Sequence, residues 1–238
     1  MKKAIVIGAT SGIGKALAGL LVENDYQVGI TGRRVNLLEE IKNTNPNSFI
    51  IKSFDTKETQ SIPQYLNNLT IELGGLDLLI ISSGTGELNE KLDFEIEKRT
   101  NDTNINGFTA IADWAFNFFQ EQKHGQLVAI SSIAGLRGNH LAPSYSASKA
   151  YQINYLESLR IKASKLKLPI FITDIRPGFV DTDMAKGDGL FWVAPVGKAS
   201  SQIYNAILKK KKIAYITKRW GMLAWIMKSL PNWIIEKM

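Results

Sequence analysis

Two side chains that could move a proton, Tyr145 and Lys149, lie four residues apart in this sequence. If the run Tyr145-Ser146-Ala147-Ser148-Lys149 is helical, residues i and i+4 share a face and the ammonium lies near the phenol. A free tyrosine loses its proton near pH ~10, but a fixed cation lowers that pKa toward the range where acid–base catalysis is efficient. The pair alone is weak evidence, because a Tyr and a Lys at this spacing also occur on solvated helix faces.

The composition excludes several kinds of site. The 238 residues contain no cysteine, which rules out disulfides, thiolate metal sites and cysteine nucleophiles. The two histidines, His124 and His140, lack a ligand-like spacing, so we expect no metal site. The apolar run after Lys3 is too short for a signal peptide, and no run reaches the ~18 residues that a membrane-spanning helix needs. We therefore expect a cytoplasmic protein.

Short apolar runs alternate with longer segments of helical period. The predicted strands are 3–8, 27–32, 48–53, 76–82, 126–131, 169–175 and 213–217, and the predicted helices are 12–24, 35–43, 58–73, 92–121, 143–166 and 197–211. A repeated strand–helix pattern implies right-handed crossovers between parallel strands. We predict an α/β fold in which one domain, residues 1–238, holds a doubly wound parallel sheet with helices on both faces.

A glycine-rich turn follows the first predicted strand and opens the first predicted helix. Glycines in such a turn let the backbone approach a pyrophosphate, which then lies at the helix N-terminus. The spacing Gly-x3-Gly-x-Gly is a variant of the dinucleotide-binding fingerprint. The sequence thus predicts a dinucleotide site formed by Gly8, Thr10, Ser11, Gly12, Ile13 and Gly14.

Two arginines follow the second predicted strand, where an NAD-preferring site usually has an acidic residue for the ribose hydroxyls. The run is Thr31-Gly32-Arg33-Arg34. Guanidinium groups can hold a phosphate through forked hydrogen bonds. We therefore predict that the cofactor is NADP(H) in preference to NAD(H), and that Arg33 and Arg34 bind it.

Together with Ser132, Asn104 and the Pro177-Gly178 pair, these features resemble the classical short-chain dehydrogenase/reductase family over roughly residues 3–204. The resemblance implies a single Rossmann-type domain with a seven-stranded parallel sheet, often assembled into a homodimer or homotetramer. It implies Tyr145 as the acid/base and Lys149 as the residue that lowers its pKa and binds the ribose. Ser132, 13 residues before Tyr145, matches the residue that orients the substrate oxygen, and Asn104 matches the asparagine that joins a water to the lysine in a proton relay.

The same resemblance extends the cofactor site. It implies that Asp55 meets the adenine edge, that Gly84 allows a close backbone approach, and that one segment forms the nicotinamide pocket through Pro177, Gly178, Val180 and Thr182. One departure concerns the family's Asn-Asn-Ala-Gly motif, because the aligned residues are Ile81, Ser82, Ser83 and Gly84. Ser82 is a shorter substitute for the asparagine that ties this strand to its neighbours, which puts local rigidity in doubt.

The C-terminal part has an unusual composition. Residues 205–238 are basic and Trp-rich, and against one acidic residue, Glu236, they carry Lys209, Lys210, Lys211, Lys212, Lys218, Arg219, Lys228 and Lys237. Tryptophan beside Lys and Arg is typical of a helix at a membrane surface. The same composition fits a subunit contact or a cap on the substrate cleft equally well. Nucleic-acid binding is not expected, because the basic residues are not part of a recognisable nucleic-acid-binding module.

Residues 185–197 fall where the family has its substrate loop, and their apolar side chains favour a hydrophobic substrate. The leading hypothesis is an NADP(H)-dependent oxidoreductase that transfers a hydride between nicotinamide and a carbonyl or secondary alcohol. The alternative is a non-catalytic NADP(H)-binding regulator on the same fold.

Overall fold

Seven parallel strands form one sheet at the centre of the molecule. The computed structural model describes residues 1–185 and 190–236. The strands are β1 (Lys2–Ile7), β2 (Tyr26–Gly32), β3 (Phe49–Ser53), β4 (Leu78–Ile81), β5 (Gly125–Ile130), β6 (Ile170–Pro177) and β7 (Ile213–Ile216). Their order in the sheet is β3-β2-β1-β4-β5-β6-β7. Each of the seven strands predicted from the apolar runs is present, and the parallel doubly wound sheet is confirmed.

The helices connect successive strands, except for the last two, which follow β7. They are α1 (Gly12–Val22), α2 (Val35–Thr44), α3 (Ile62–Leu73), α4 (Phe94–Asn101), α5 (Phe108–Gln122), α6 (Pro143–Leu166), α7 (Val196–Leu208), α8 (Lys218–Ser229) and α9 (Asn232–Ile235). The helical segment predicted at 92–121 differs in detail, because a π-helical turn, Asp102–Gly107, joins α4 to α5. Apolar periodicity does not reveal such a turn, and π-helical turns are frequent at functional sites.

Apolar side chains cover both faces of the sheet. On one face, Leu17 of α1 and Ile203 of α7 are fully buried in a core with residues of β1 and β2. On the other face, Leu66 of α3, Phe116 of α5 and Leu156 of α6 form a second buried cluster. Strands covered on both sides read as continuous apolar runs, which explains why β1, β4 and β5 could be recognised in the sequence.

The basic C-terminal part is divided by the sheet. Lys209–Lys212 precede β7, whereas α8 and α9 follow it, so the lysine run and the tryptophan-rich helices lie at opposite ends of the last strand. Residues 205–208 belong to α7. The lysine run and α8 are therefore separated by the length of β7 and do not form one continuous segment. No helix among the described residues is long and apolar enough to cross a bilayer.

Candidate active site

The glycine-rich turn lies at the carboxyl end of β1, where the sheet order reverses between β1 and β4. Ligands of open α/β sheets bind in the crevice at this point. Gly8 has a φ of +82°, and a Cβ there would lie 2.7 Å from the backbone nitrogen of Ser83. A Cβ on Gly14 would lie 2.2 Å from the carbonyl oxygen of Gly8. Side chains at these two positions would therefore push apart the turn, the strand end and the first turn of α1.

The second half of the turn is held by an arginine. Arg34 donates from Nη2 to Thr10 Oγ1 at 2.6 Å and to Ser11 Oγ at 3.0 Å. A Cβ on Gly32 would lie 2.6 Å from Thr10 Cγ2, so the end of β2 packs directly on the turn. A helix N-terminus with an adjacent guanidinium is a favourable place for phosphate groups. These residues fit a dinucleotide phosphate, and Ile13 packs inward against the core beside them.

Arg33 and Asp55 meet at the ends of β2 and β3. Arg33 Nη1 lies 3.6 Å from Asp55 Oδ2, and Lys57 Nζ lies 3.5 Å from the same oxygen. The Arg33 side chain is 70% exposed, so this ion pair is held loosely. The structure thus places both predicted arginines at one edge of the crevice but gives them different partners.

Ser132, Tyr145 and Lys149 converge at the carboxyl end of β5. Ser132 follows β5, and its Oγ accepts from the Ala134 backbone N–H at 3.1 Å at the start of a short 3-10 turn. Tyr145 and Lys149 lie in the first two turns of α6, with Lys149 Nζ 5.8 Å from the centre of the Tyr145 ring. The lysine is buried and donates to the Ile130 carbonyl oxygen at 3.0 Å. The sequence spacing therefore produces the expected proximity.

Burial dominates the proton affinities of these groups. Burial raises the pKa of the Tyr145 phenol, opposite to the lowering by Lys149 that the sequence predicted, and only an interaction with the Ser132 hydroxyl counters this rise among the described residues. Burial lowers the pKa of Lys149 to about 8, and the negative charge of Asp174 opposes that shift. A lysine with a pKa near neutrality can change its charge in the range where acid–base catalysis operates.

A loop after β4 covers the tyrosine. A Cβ on Gly86 would lie 2.5 Å from Tyr145 Cδ2, so the Gly86 backbone packs on the ring. The Asn104 side chain holds this loop, because Oδ1 accepts from the Thr85 N–H at 2.9 Å and Nδ2 donates to the Thr85 carbonyl at 2.7 Å. Two hydrogen bonds from one fully buried amide fix the segment whose rigidity the missing Asn-Asn-Ala-Gly motif left in doubt.

The remaining predicted cofactor residues lie near the same edge of the sheet. A Cβ on Gly84 would lie 3.5 Å from Lys149 Nζ, and one on Gly12 would lie 3.1 Å from Thr182 Cγ2. Pro177 ends β6, and Val180 is buried and bridges to Ala194. The structure brings these residues to the edge that holds the glycine-rich turn.

An aromatic cluster centred on Trp220 packs against the Pro177-Gly178 segment. The sequence did not predict that Trp220 would lie at the centre of this cluster. Trp220 of α8 is 1% exposed, and a Cβ on Gly178 would lie 2.0 Å from its Cε2. The Trp220 ring lies 5.5 Å from Phe179, 5.1 Å from Phe191 and 5.7 Å from Trp192. The first turn of α8 thus packs on the predicted substrate loop, as the cap interpretation requires. Loop residues 186–189 lie outside the described part of the chain.

Comparison with known proteins assigns the family. A family model described as short chain dehydrogenase matches residues 2–189. The chain belongs to the short-chain dehydrogenase/reductase family. An uncharacterised oxidoreductase of Myxococcus xanthus is 31% identical over 188 residues, which cover 77% of this chain and 74% of the relative. A probable NADP-dependent dehydrogenase of Haemophilus influenzae is 32% identical over 178 residues, covering 74% and 70%.

Solved structures of short-chain dehydrogenases share the fold. ElxO with NADP bound superposes with a TM-score of 0.80 at 22% identity and covers 91% of this chain and 97% of its own. A short-chain dehydrogenase from Streptomyces avermitilis gives a TM-score of 0.83 at 20% identity, with 96% and 91% covered. Family membership makes this short-chain dehydrogenase an oxidoreductase that acts on CH–OH or C=O groups. Helices α8 and α9 lie beyond the residues that the family model matches.

Proposed function

We propose that the protein is an NADP(H)-dependent carbonyl reductase or alcohol dehydrogenase in which Tyr145 is the acid/base. The observation that carries the proposal is the convergence of Tyr145, Ser132 and Lys149 at the strand ends beside the glycine-rich turn. When bound, the cofactor supplies or accepts the hydride.

In reduction, the Tyr145 phenol donates its proton to the oxygen of the developing alkoxide. Ser132 is close enough to the phenol to share that oxygen, and its hydroxyl donates a hydrogen bond where negative charge builds up. The Lys149 ammonium stabilises the phenolate left behind and would hold the nicotinamide ribose. The raised pKa of the buried phenol keeps its proton in place until the alkoxide develops.

Substitution of the phenol tests this assignment. Tyr145→Phe is expected to lower NADPH-dependent carbonyl reduction at least ~100-fold, the scale of lost acid–base catalysis, while NADPH binding measured by fluorescence is retained. Tyr151→Phe is the matched control, because Tyr151 lies on the same helix and pairs with Thr109 at 2.8 Å instead. A Tyr145→Phe enzyme that keeps most of its rate would refute the assignment. NADPH binding without turnover of any carbonyl by the unaltered protein would favour a regulator.

We also propose that the protein prefers NADP(H) and that Arg34 is the main phosphate ligand. The proposal is supported by the two hydrogen bonds that Arg34 donates to the glycine-rich turn. Arg33 instead forms an ion pair with Asp55. Arg34→Ala is expected to raise the NADPH Kd about tenfold or more, as loss of a charged hydrogen-bonding group does, and to raise the NADH Kd by a smaller factor. Arg33→Ala provides the comparison and should cost less. Equal losses for NADPH and NADH in Arg34→Ala would contradict a role in phosphate binding.

The substrate that we propose is an apolar carbonyl compound or alcohol. Aromatic surface lies beside Gly178, at the predicted nicotinamide pocket, because Phe179 and the exposed Phe191 pack there against the buried Trp220 ring. Aromatic side chains of this kind favour apolar ligands. An NADPH-linked screen over lipid-like, steroid-like, sugar and small aromatic carbonyls tests this choice, and a clear preference for sugars would exclude it.

For the outer face of α8 we propose contact with an anionic lipid surface. Trp220 and Ala224 point inward, while Met222 and Trp225 are 59% and 71% exposed. Trp233 of α9 is 62% exposed. The cations of α8 are Lys218, Arg219 and Lys228, and all three are exposed. A second copy of the chain on a two-fold axis would place these like charges opposite each other, whereas anionic headgroups would complement them.

Vesicle binding tests the outer face of α8. The full chain is expected to sediment with phosphatidylserine-containing vesicles and less with neutral ones, and Met222→Ser with Trp225→Ser should lower the sedimented fraction on both. Ile71→Ser is the matched control, because Ile71 is 76% exposed on a helix away from α8. Equal sedimentation of the double variant and the control would overturn the lipid proposal. A fall in oligomer mass by light scattering in the double variant alone would assign this face to a subunit contact.

A further inference from the structure

A buried glutamine links two of the residues placed at the active site. Gln152 is 1% exposed and lies three residues after Lys149 on α6. Its Oε1 accepts from Lys149 Nζ at 3.0 Å, and its Nε2 donates to the Asn104 carbonyl oxygen at 2.8 Å. The lysine needs an acceptor because a buried ammonium is costly without partners. Sequence analysis missed Gln152, although its i+3 spacing from Lys149 was a signal for it.

The two partners determine how the amide is oriented. A backbone carbonyl can only accept and an ammonium can only donate, so the NH₂ group must face Asn104 and the oxygen must face Lys149. Asn104 is itself fixed, since its side chain binds Thr85 and donates to Ser148 Oγ at 3.0 Å. The chain of bonds therefore runs from the π-helical turn through Gln152 to the lysine, with each polar atom paired.

We propose that Gln152 is a positioning residue that holds the Lys149 ammonium beside Tyr145 and keeps it charged. The inference rests on the function proposed above, in which Lys149 stabilises the Tyr145 phenolate. An amide gains and loses no proton near neutral pH. Gln152 therefore occupies the link between Lys149 and Asn104, where the sequence predicted a water-mediated relay, and it orients the lysine without passing on a proton.

Few other charges among the described residues act on Lys149. Tyr145 lies on the same helix as Lys149. The negative charge of Asp174 acts on Lys149 from β6, where Asp174 also forms an ion pair with Arg176. Burial already lowers the pKa of Lys149, so its charge depends on the acceptors that remain, Ile130 and Gln152. Removal of one acceptor should lower the pKa further, by about one unit or more for a hydrogen bond to a charged group.

Gln152→Met keeps the length of the side chain and removes both hydrogen bonds. In the ligand-free protein, the Lys149 pKa is expected to fall by about one unit in this variant. The pKa is measured by NMR of 13C-labelled lysine, and the Lys149 signal is assigned by its loss in Lys149→Met. Gln152→Glu retains an oxygen facing Lys149 and should hold the pKa at or above the unaltered value. In the active enzyme, the alkaline limb of the kcat/KM profile should move in the same direction as the pKa of each variant.

Gln126→Met is the matched control, because Gln126 donates to Thr173 Oγ1 and to the Ile207 carbonyl away from the active site. It should destabilise the protein without moving the Lys149 pKa. If Gln152→Met leaves the Lys149 pKa where Gln126→Met leaves it, the positioning role is overturned. If the pKa shifts as expected but the unaltered enzyme reduces no carbonyl, the link to Lys149 stands and the proposed function fails.

Discussion

Replacement of Asp174 by asparagine should destabilise this enzyme more than any surface charge change. Asp174 is fully buried on β6, and its Oδ2 lies 2.6 Å from Arg176 Nη2 and 2.7 Å from Arg176 Nε. Its other oxygen accepts from the Ser131 hydroxyl. Asparagine keeps the shape but removes the charge, which leaves the guanidinium of Arg176, 3% exposed, without a counter-ion.

The expected cost follows from this burial. Breaking a buried ion pair by removing one partner costs about 3–5 kcal/mol, because the remaining charge stays desolvated. For a domain of this size, each kcal/mol lowers Tm by about 2–4 °C, so a decrease of roughly 6–20 °C is expected. The negative charge of Asp174 also raises the pKa of Lys149, so that pKa should fall in the variant.

Calorimetry at pH 7 measures the effect against Asp102→Asn. Asp102 forms an ion pair with Lys98 at 2.6 Å, but the lysine side chain is 53% exposed, so loss of this pair should lower Tm far less. Arg176→Met added to Asp174→Asn removes the orphaned charge and should recover part of the Tm. If Asp174→Asn lowers Tm no more than Asp102→Asn does, the reasoning about the buried pair is refuted.

Three further outcomes are expected. Gly86→Ala would place a Cβ 2.5 Å from the Tyr145 ring. Carbonyl reduction should therefore fall at least ~10-fold while NADPH binding persists. An unchanged kcat/KM would show that the loop moves aside without cost. Trp220→Ala should cost about 3–5 kcal/mol of stability and raise KM for apolar substrates, whereas Trp225→Ala, at 71% exposure, should change stability by less than ~0.5 kcal/mol. Because the Lys149 charge is lost as pH rises through about 8, kcat/KM for reduction should decline above that pH in stopped-flow or steady-state assays, and a flat profile to pH 10 would contradict this role.

The features that could be predicted from the sequence are those determined by residues close together along the chain. Apolar runs identified the seven strands, since a strand buried on both sides has to be apolar throughout. Glycine spacing located the turn between β1 and α1, because only a residue without a Cβ fits where Gly8 and Gly14 approach other backbone atoms. The four-residue interval between Tyr145 and Lys149 fixed their common helix face before any tertiary contact was known.

Tertiary structure decided which distant groups meet these residues. Gln152 reaches Asn104 across 48 positions, and the Gly86 backbone lies on Tyr145, because α6 and the π-helical turn both pack at the end of β4. Trp220 packs against Gly178 because β7 lies beside β6, so that the chain after β7 returns to the carboxyl end of β6. Burial of the lysine lowers its pKa, and that burial results from the packing of several elements at once. Local spacing therefore determined which residues could do the chemistry, while packing between distant segments determined their partners and their charge.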